Sequence, residues 1–330
     1  MMKLKYLFNN ENLAEMLLKN WKYDPESIEL FQYYRISSNA IYPFRFEGKT
    51  HLLRFAPVVE KNKDNVLAEF EFIAYLRDNG CGVLETVQSC AGEELVEVQT
   101  PWGAYYASVF KRVSGVQLDR TDLNDTIIYR YGQALGKLHR LSSQYTPVGA
   151  PRWSYGDVLD WIEDQLRDLP NETKTRMEVA ILRDYFDKLP KSPSHYGLIH
   201  YDFEFDNVFY DQESGGCNII DFDDAMYHWY VMDLVQVFEC LHEFIPSEVY
   251  NEKMQCFIDG YRTEYDLPSD WETIVPACKR FAGLYGYART LRSIADSWDH
   301  EPEWLMNLRA RLAERMEEEA AGFGTDLNIL

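Results

Sequence analysis

The stretch His200-Tyr201-Asp202-Phe203-Glu204-Phe205-Asp206-Asn207, followed by Ile219-Ile220-Asp221-Phe222-Asp223-Asp224, is the most informative part of this 330-residue chain. Short apolar runs, of the kind that fold as buried strands, lead into carboxylates and an amide. Between the two stretches, Asp211-Gln212-Glu213-Ser214-Gly215-Gly216 reads as a hairpin turn joining residues 207–210 to 217–221. Acids gathered at neighbouring strand ends need cations or hydrogen-bond donors where water is partly excluded. An all-oxygen donor set, with no His or Cys pairing, suits Mg2+ or Mn2+ better than zinc. Taken alone, the same residues also fit a hairpin capped by turn-forming Asp and Asn.

Outward from this segment the chain changes character twice. Residues 11–21 have apolar side chains at helical spacing. Residues 28–36, 40–46 and 51–55 are rich in aromatic and aliphatic side chains and are separated by turn residues, which predicts an antiparallel meander. Residues 65–79 return to helical period and stop at Gly80; strands are expected at 94–99 and 105–113. Beyond Ser114-Gly115 the chain reads as mostly helical, over 129–141, 158–169, 172–189, 231–244, 248–261 and 303–319. This is an α+β pattern: a β-rich unit over residues 1–113 and a helical unit over 114–330.

The charge balance bounds the function classes. Against 33 Lys and Arg stand 54 Asp and Glu, a formal net charge of −21. Phosphate backbones and anionic membranes are held by basic surfaces, so the balance argues against nucleic acid and membrane partners. No apolar run approaches the ~20 residues of a membrane span, and the first residues lack a secretory h-region. Six cysteines, at 81, 90, 217, 240, 256 and 278, are scattered with no C-x-x-C pair. They read as reduced thiols of a cytoplasmic protein.

The pair of motifs resembles a known family. His200, Asp202 and Asn207 match the H-x-D-x-x-x-x-N loop of the aminoglycoside phosphotransferase and choline kinase-like superfamily. Ile220-Asp221-Phe222-Asp223 matches its I-D-[FWY]-[DE] segment, the counterpart of D-F-G in protein kinases. The order of the motifs, the 14 residues from Asn207 to Asp221 and the hairpin between them all fit. The resemblance implies a two-lobed protein kinase-like fold, with a small antiparallel-sheet lobe carrying one key helix and a larger helical lobe.

The same resemblance implies ATP and Mg2+ as cofactors. Asp202 would accept the proton of an acceptor hydroxyl, Asn207 and Asp221 would hold the metal, and Asp223 would reach a second metal or the substrate. His200 and Asp233 would support the loop, although an acid near a helix start such as Asp233 also suits the helix dipole. Arg54 stands where kinases place a phosphate-contacting lysine, with Glu69, rather than Glu71, as its partner on the next helix. Ser38 and Asn39 occupy the turn expected to cap phosphates. Tyr201 departs from the glycine that many relatives carry between the His and the Asp.

The resemblance implies a small-molecule hydroxyl as the phosphate acceptor. Glu204, Asp206, Asp223 and Asp224 favour a cationic one, with Tyr227, His228, Trp229 and Trp298 as an aromatic wall. Those aromatics equally suit lobe core, and Arg289 and Arg292, three apart on a late helix, suit an anionic contact. A homoserine- or choline-type metabolic kinase and a nucleotide-binding pseudokinase scaffold are the alternatives.

Overall fold

The computed structural model describes residues 1–266 and 269–325. Helix α1 (Glu11–Leu18) starts at Asn10, whose side chain accepts from Leu13 N. Residues 28–36, expected as a strand, instead form a 3₁₀ segment, Pro25–Tyr33, and only the short β1 (Arg35–Ile36) is extended. Pro25 sits in the first helical turn with its φ already suitable. Phe31 is buried from one side of that segment, so the aromatic content that suggested a strand serves a tight helix.

Strands β2 (Ala40–Phe46) and β3 (Lys49–Pro57) pair around Glu47 and Gly48, both at positive φ, as a two-residue hairpin turn requires. Asp24 fixes that turn by accepting from Glu47 N and Gly48 N, each at 3.1 Å. Helix α2 (Lys63–Asp78) follows, then β4 (Glu85–Val87), β5 (Val96–Thr100) and β6 (Gly103–Lys111). The sheet order is β1-β2-β3-β6-β4, with β5 also on β6 and every pairing antiparallel. Its inner face (Tyr42, Phe44, Leu53, Phe55, Val109) packs on Leu13, Leu17 and Trp21 of the α1 region.

The helical lobe is built on α3 (Asp125–Ser142), α4 (Tyr155–Leu166), α5 (Thr173–Asp187), α6 (Val231–Phe244), α7 (Ser247–Arg262), α8 (Val275–Ile294) and α9 (Glu303–Ala320). Helices α3 and α7 pack closely because Gly132 and Gly260 sit at the crossing. A Cβ at either would fall 2.0 Å from the facing carbonyl, Phe257 O or Tyr129 O. Inserted among the helices are β7 (Val116–Gln117), β8 (Tyr196–Ile199), β9 (Val208–Asp211), β10 (Gly216–Ile219) and β11 (Met226–Trp229). Strands β9 and β10 form the expected hairpin, β7 pairs with β9, and β8 pairs with β11. Among the described residues, no helix is long and apolar enough to cross a membrane.

Candidate active site

The two acidic motifs meet where the sheet lobe faces the helices. The loop after β8 carries Asp202 and the loop after β10 carries Asp221. His200 joins them: its Nε2 donates to Ile220 O (2.8 Å), and its Nδ1 accepts from Asp202 N (3.2 Å). Burial pushes the His200 imidazole below its ordinary range, which matches one donor and one acceptor nitrogen. Asn207 Nδ2 donates to Asp202 Oδ2 (2.9 Å) and to Asp202 O (3.0 Å), so the amide oxygen of Asn207 is left pointing away from that loop.

Asp233, near the start of α6, closes the loop from beneath. Its Oδ1 accepts from Tyr201 N (2.7 Å), and its Oδ2 accepts from His200 N (2.9 Å) and His139 Nε2 (2.9 Å). The far nitrogen of His139 meets Tyr261 Oη at 2.8 Å. Asp233, His139 and His200 are all fully buried. Tyr201 holds φ +67° and Asp221 φ +62°, the left-handed region that L side chains seldom occupy. At Tyr201 this conformation explains why glycine is the easier choice. Its ring is buried against Phe281 and Tyr285 of α8.

A cavity of about 160 Å³ is lined by Asp202, Asn207, Asp221, Asp223, Asp224 and Ser38, with Arg35, Ser37, Asp206 and Arg289 at its edge. Burial, then the charges of Asp224 and Asp221, push the Asp202 carboxyl well above the usual carboxylate range. Asp221 lies deep in the protein yet opens onto the water of the cleft; burial first, then Asp223 and Asp224, push it up to about 6. Burial also acts upward on Asp223, but Lys61 and Arg54 outweigh it and hold that carboxyl below its usual range.

In the sheet lobe, Arg54 on β3 and Glu69 on α2 form a two-pronged pair at 2.7 and 2.9 Å, both buried. The guanidinium rests on the Phe110 ring, 4.7 Å from its centroid, and Asp223 and Asp221 lie within its field. Glu71 faces elsewhere, accepting from Tyr145 Oη, Val148 N and Gly149 N. Ser38 reaches the cleft and accepts from Arg289 Nη2 (3.1 Å), whereas Asn39 is buried beside the turn and does not line the cavity.

The expected acceptor wall is corrected by the structure. Trp229 is buried in the helical core, stacked on Phe186, with Nε1 donating to Pro190 O (3.2 Å). Tyr227 pairs across β8 and contributes to core packing, and Trp298 lies against Phe8. Strand β11 lies under the helices, so its aromatic content reflects burial. Glu204 is also outside the cavities, half-buried beside Asp206 and Glu243. The remaining acids have cations of their own. Asp224 pairs with Arg289 (2.6 Å), Asp206 with Arg35 (3.2 Å) and Asp223 with Lys61 (2.6 Å).

A second cavity, about 380 Å³, adjoins the first through Ser38, Asp223, Asp224 and Arg289. Its aromatic lining is Trp153, Trp161 and Tyr285, and Lys61, Arg152 and Arg292 also face it. Arg152 is held by three carbonyls, Ala225 O, Asn65 O and Asp223 O, at 2.6–2.8 Å. Besides Ser38, Asp223 and Asp224, only Arg289 and Arg292 of these side chains carried a signal in the sequence, through their spacing. The others come from distant segments that only the fold brings together.

Residues 36–265 match the model of the phosphotransferase enzyme family. Amicoumacin kinase from Bacillus subtilis (strain 168) is 23% identical over 322 residues, covering 93% of each chain. Among solved structures, amicoumacin kinase hAmiN in complex with AMP-PNP, Ca2+ and Ami superposes with a TM-score of 0.76 at 22% identity, over 98% of both chains. The microcompartment-associated aminopropanol kinase superposes with a TM-score of 0.67 at 21% identity, over 96% of this chain and 100% of that one. These likenesses agree with the two-lobed architecture, and the family match spans both acidic motifs and the Arg54–Glu69 pair: the chain belongs to the phosphotransferase enzyme family.

Proposed function

We propose that the chain moves the γ-phosphate of ATP, with Mg2+, onto a hydroxyl of a small molecule. The observation that carries this reading is the convergence of Asp202, Asn207 and Asp221 on one small cavity, beside the Arg54–Glu69 pair. The lobes divide near residue 113, where β6 has ended and β7 already pairs within the helical lobe.

The donor set fits a hard divalent ion. Among the described residues, no side chain or backbone group hydrogen-bonds the Asp221 carboxylate or the Asn207 amide oxygen, so both are open to a metal. Among the described residues, no group of three or more His, Cys, Asp or Glu stands at metal-binding spacing. Mg2+ keeps water and substrate phosphates in most of its shell, so few protein oxygens are needed to hold it. When bound, Mg2+ neutralises phosphate charge and the mutual repulsion of this acidic cluster.

Asp202 takes the proton of the acceptor hydroxyl through the carboxylate oxygen that Asn207 does not engage. Arg54 fixes the nucleotide phosphates from the sheet side, and Ser38 lies in the turn over them. The aromatic cavity beyond Asp223 and Asp224 holds the acceptor. With Asp206, Asp223 and Asp224 matched by cations, ring faces and hydrogen bonds, more than bare negative charge, recognise it. Intact Asp202, Asn207 and Asp221 favour catalysis over a scaffold role.

The test is ADP release from ATP–Mg2+ across amicoumacin, aminoglycosides, aminopropanol, choline and homoserine, with Asp202→Asn as control. An acceptor-dependent rate that falls 10²–10⁴-fold in the variant, with ATP–Mg2+ binding kept, supports the reading. Equal rates in both proteins refute it.

A further inference from the structure

We propose that Arg289 is a further catalytic residue: its guanidinium, carried by α8, meets the phosphoryl group as it passes from nucleotide to acceptor. The inference rests on the phosphotransferase reading above and adds a residue to it.

Among the described residues, the two cavities share Ser38, Asp223, Asp224 and Arg289, and of these Arg289 alone is a cation. A phosphoryl group that leaves the smaller cavity, where Asp202, Asn207 and Asp221 converge, for an acceptor in the larger one crosses that junction. The smaller cavity is rich in acids, and its other cation, Arg35, has a side chain 67% exposed against 24% for Arg289. Water therefore screens Arg35 far more than Arg289.

The guanidinium is held from both lobes. Nη1 donates to Asp224 Oδ2 (2.6 Å), Nη2 donates to Ser38 Oγ (3.1 Å), and the central carbon lies 5.1 Å from the centroid of the Tyr285 ring. These contacts orient it before any substrate arrives, which spares reorganisation during the reaction. Among the described residues its side chain makes only those two hydrogen bonds, so further N–H groups remain for phosphoryl oxygens. Tyr285, one turn earlier on α8, belongs to the aromatic wall, so a single helix places both the acceptor and the cation.

In the step, the bond from the γ-phosphorus to the ADP oxygen breaks as the bond to the acceptor oxygen forms, and Asp202 takes the hydroxyl proton. Arg289 makes and breaks no covalent bond. It donates to the equatorial oxygens, whose negative charge otherwise passes between Asp202 and Asp224.

The test is calorimetric titration of the full chain with ADP–Mg2+, with and without aluminium fluoride, a stand-in for the transferring phosphoryl group. Wild type is expected to bind about 10²-fold tighter or more with fluoride. Arg289→Met should lose at least about tenfold of that gain, while fluoride-free affinity stays within about threefold, the mark of an interaction made only in the transition state. An undiminished gain in Arg289→Met overturns the inference. An equal loss without fluoride also overturns it, because Arg289 then only holds the cleft together. Should Arg289→Met fail to fold with Asp224 left unpaired, Asp224→Asn combined with Arg289→Met decides by the same criterion. Wild type that binds ADP–Mg2+ but gains nothing from fluoride overturns this inference alone. Wild type that binds no ADP–Mg2+ overturns the phosphotransferase reading and this inference with it.

Discussion

Replacing Asp233 by Asn tests whether this acid holds the catalytic loop or merely suits the start of a helix. Its two oxygens receive three donors, Tyr201 N, His200 N and His139 Nε2, all at 2.7–2.9 Å and out of contact with water. Asn keeps one oxygen and turns the other into an NH2. If the oxygen stays toward His200 and His139, the amide hydrogens oppose Tyr201 N–H; if it turns, two donors are opposed. At least one buried donor loses its acceptor, at about 1–3 kcal/mol, and the surviving bonds lose their charge assistance, at about 1 kcal/mol each. The sum, about 3–5 kcal/mol, is the range for breaking a buried charged partner. A helix-dipole role alone is worth about 0.3–1 kcal/mol and fades in salt. Urea denaturation separates the two, read as a shift in midpoint at unchanged slope. The loop also carries Asp202, and a displacement near 1 Å costs about 10²-fold in rate, so ADP release should fall with stability. A loss below about 1 kcal/mol with normal turnover would refute the bracing role.

Asp221→Asn should stabilise the metal-free protein above pH 6 while abolishing its thermal shift with Mg2+ and AMP-PNP. The wild-type carboxyl is raised from 3.8 to about 6, so its ionised form is disfavoured in the fold and stability is lost as pH rises across that window. Asn lacks this loss and tolerates the left-handed backbone; the gain is at most about 1 kcal/mol, because water in the open cleft screens the charge. A lower metal-free melting temperature, or a retained metal-dependent shift, would count against the assignment. Arg54→Met should cost about 3–5 kcal/mol by leaving Glu69 buried and unpaired, and should raise the KM for ATP. Adding Glu69→Met should restore stability but not KM. Recovery of both would make the pair purely structural.

The parts of the fold that were legible in the sequence are those set by local pattern. Strand β2 follows its aromatic run residue for residue, α6 begins and ends where its apolar spacing does, and the β9–β10 hairpin follows from Asp211 to Gly216. The Pro25–Tyr33 segment misled because β-branched and aromatic residues at spacing of three or four serve a buried 3₁₀ turn as well as a strand. Strands β4 and β11 are three and four residues long and exist through their partners, so no local pattern marked them. The same limit applies to the site. Asp202, Asn207 and Asp221 sit in dense motifs, but Lys61, Trp153 and Tyr285 reach the cleft from three separate segments.

Those separate segments also show what the acidic composition does not do. The cleft-lining charges are matched: across the lobe boundary stand Lys61 on Asp223, Arg292 on Glu60, Arg35 on Asp206 and Arg289 on Ser38, while Arg289 also pairs with Asp224 inside the helical lobe. The first four contacts couple the sheet lobe to the helical lobe, so the charges that line the cleft also tie the two lobes together. The Arg35–Asp206 pair is exposed and worth about 1 kcal/mol or less, while the Lys61 and Arg292 pairs are largely shielded from water and hold more firmly. An acceptor that merely added positive charge would compete with arginines already in place. If the acceptor occupies the larger cavity as proposed, one that stacks on Trp153, Trp161 and Tyr285 gains without breaking them, which would place selectivity in the aromatic wall.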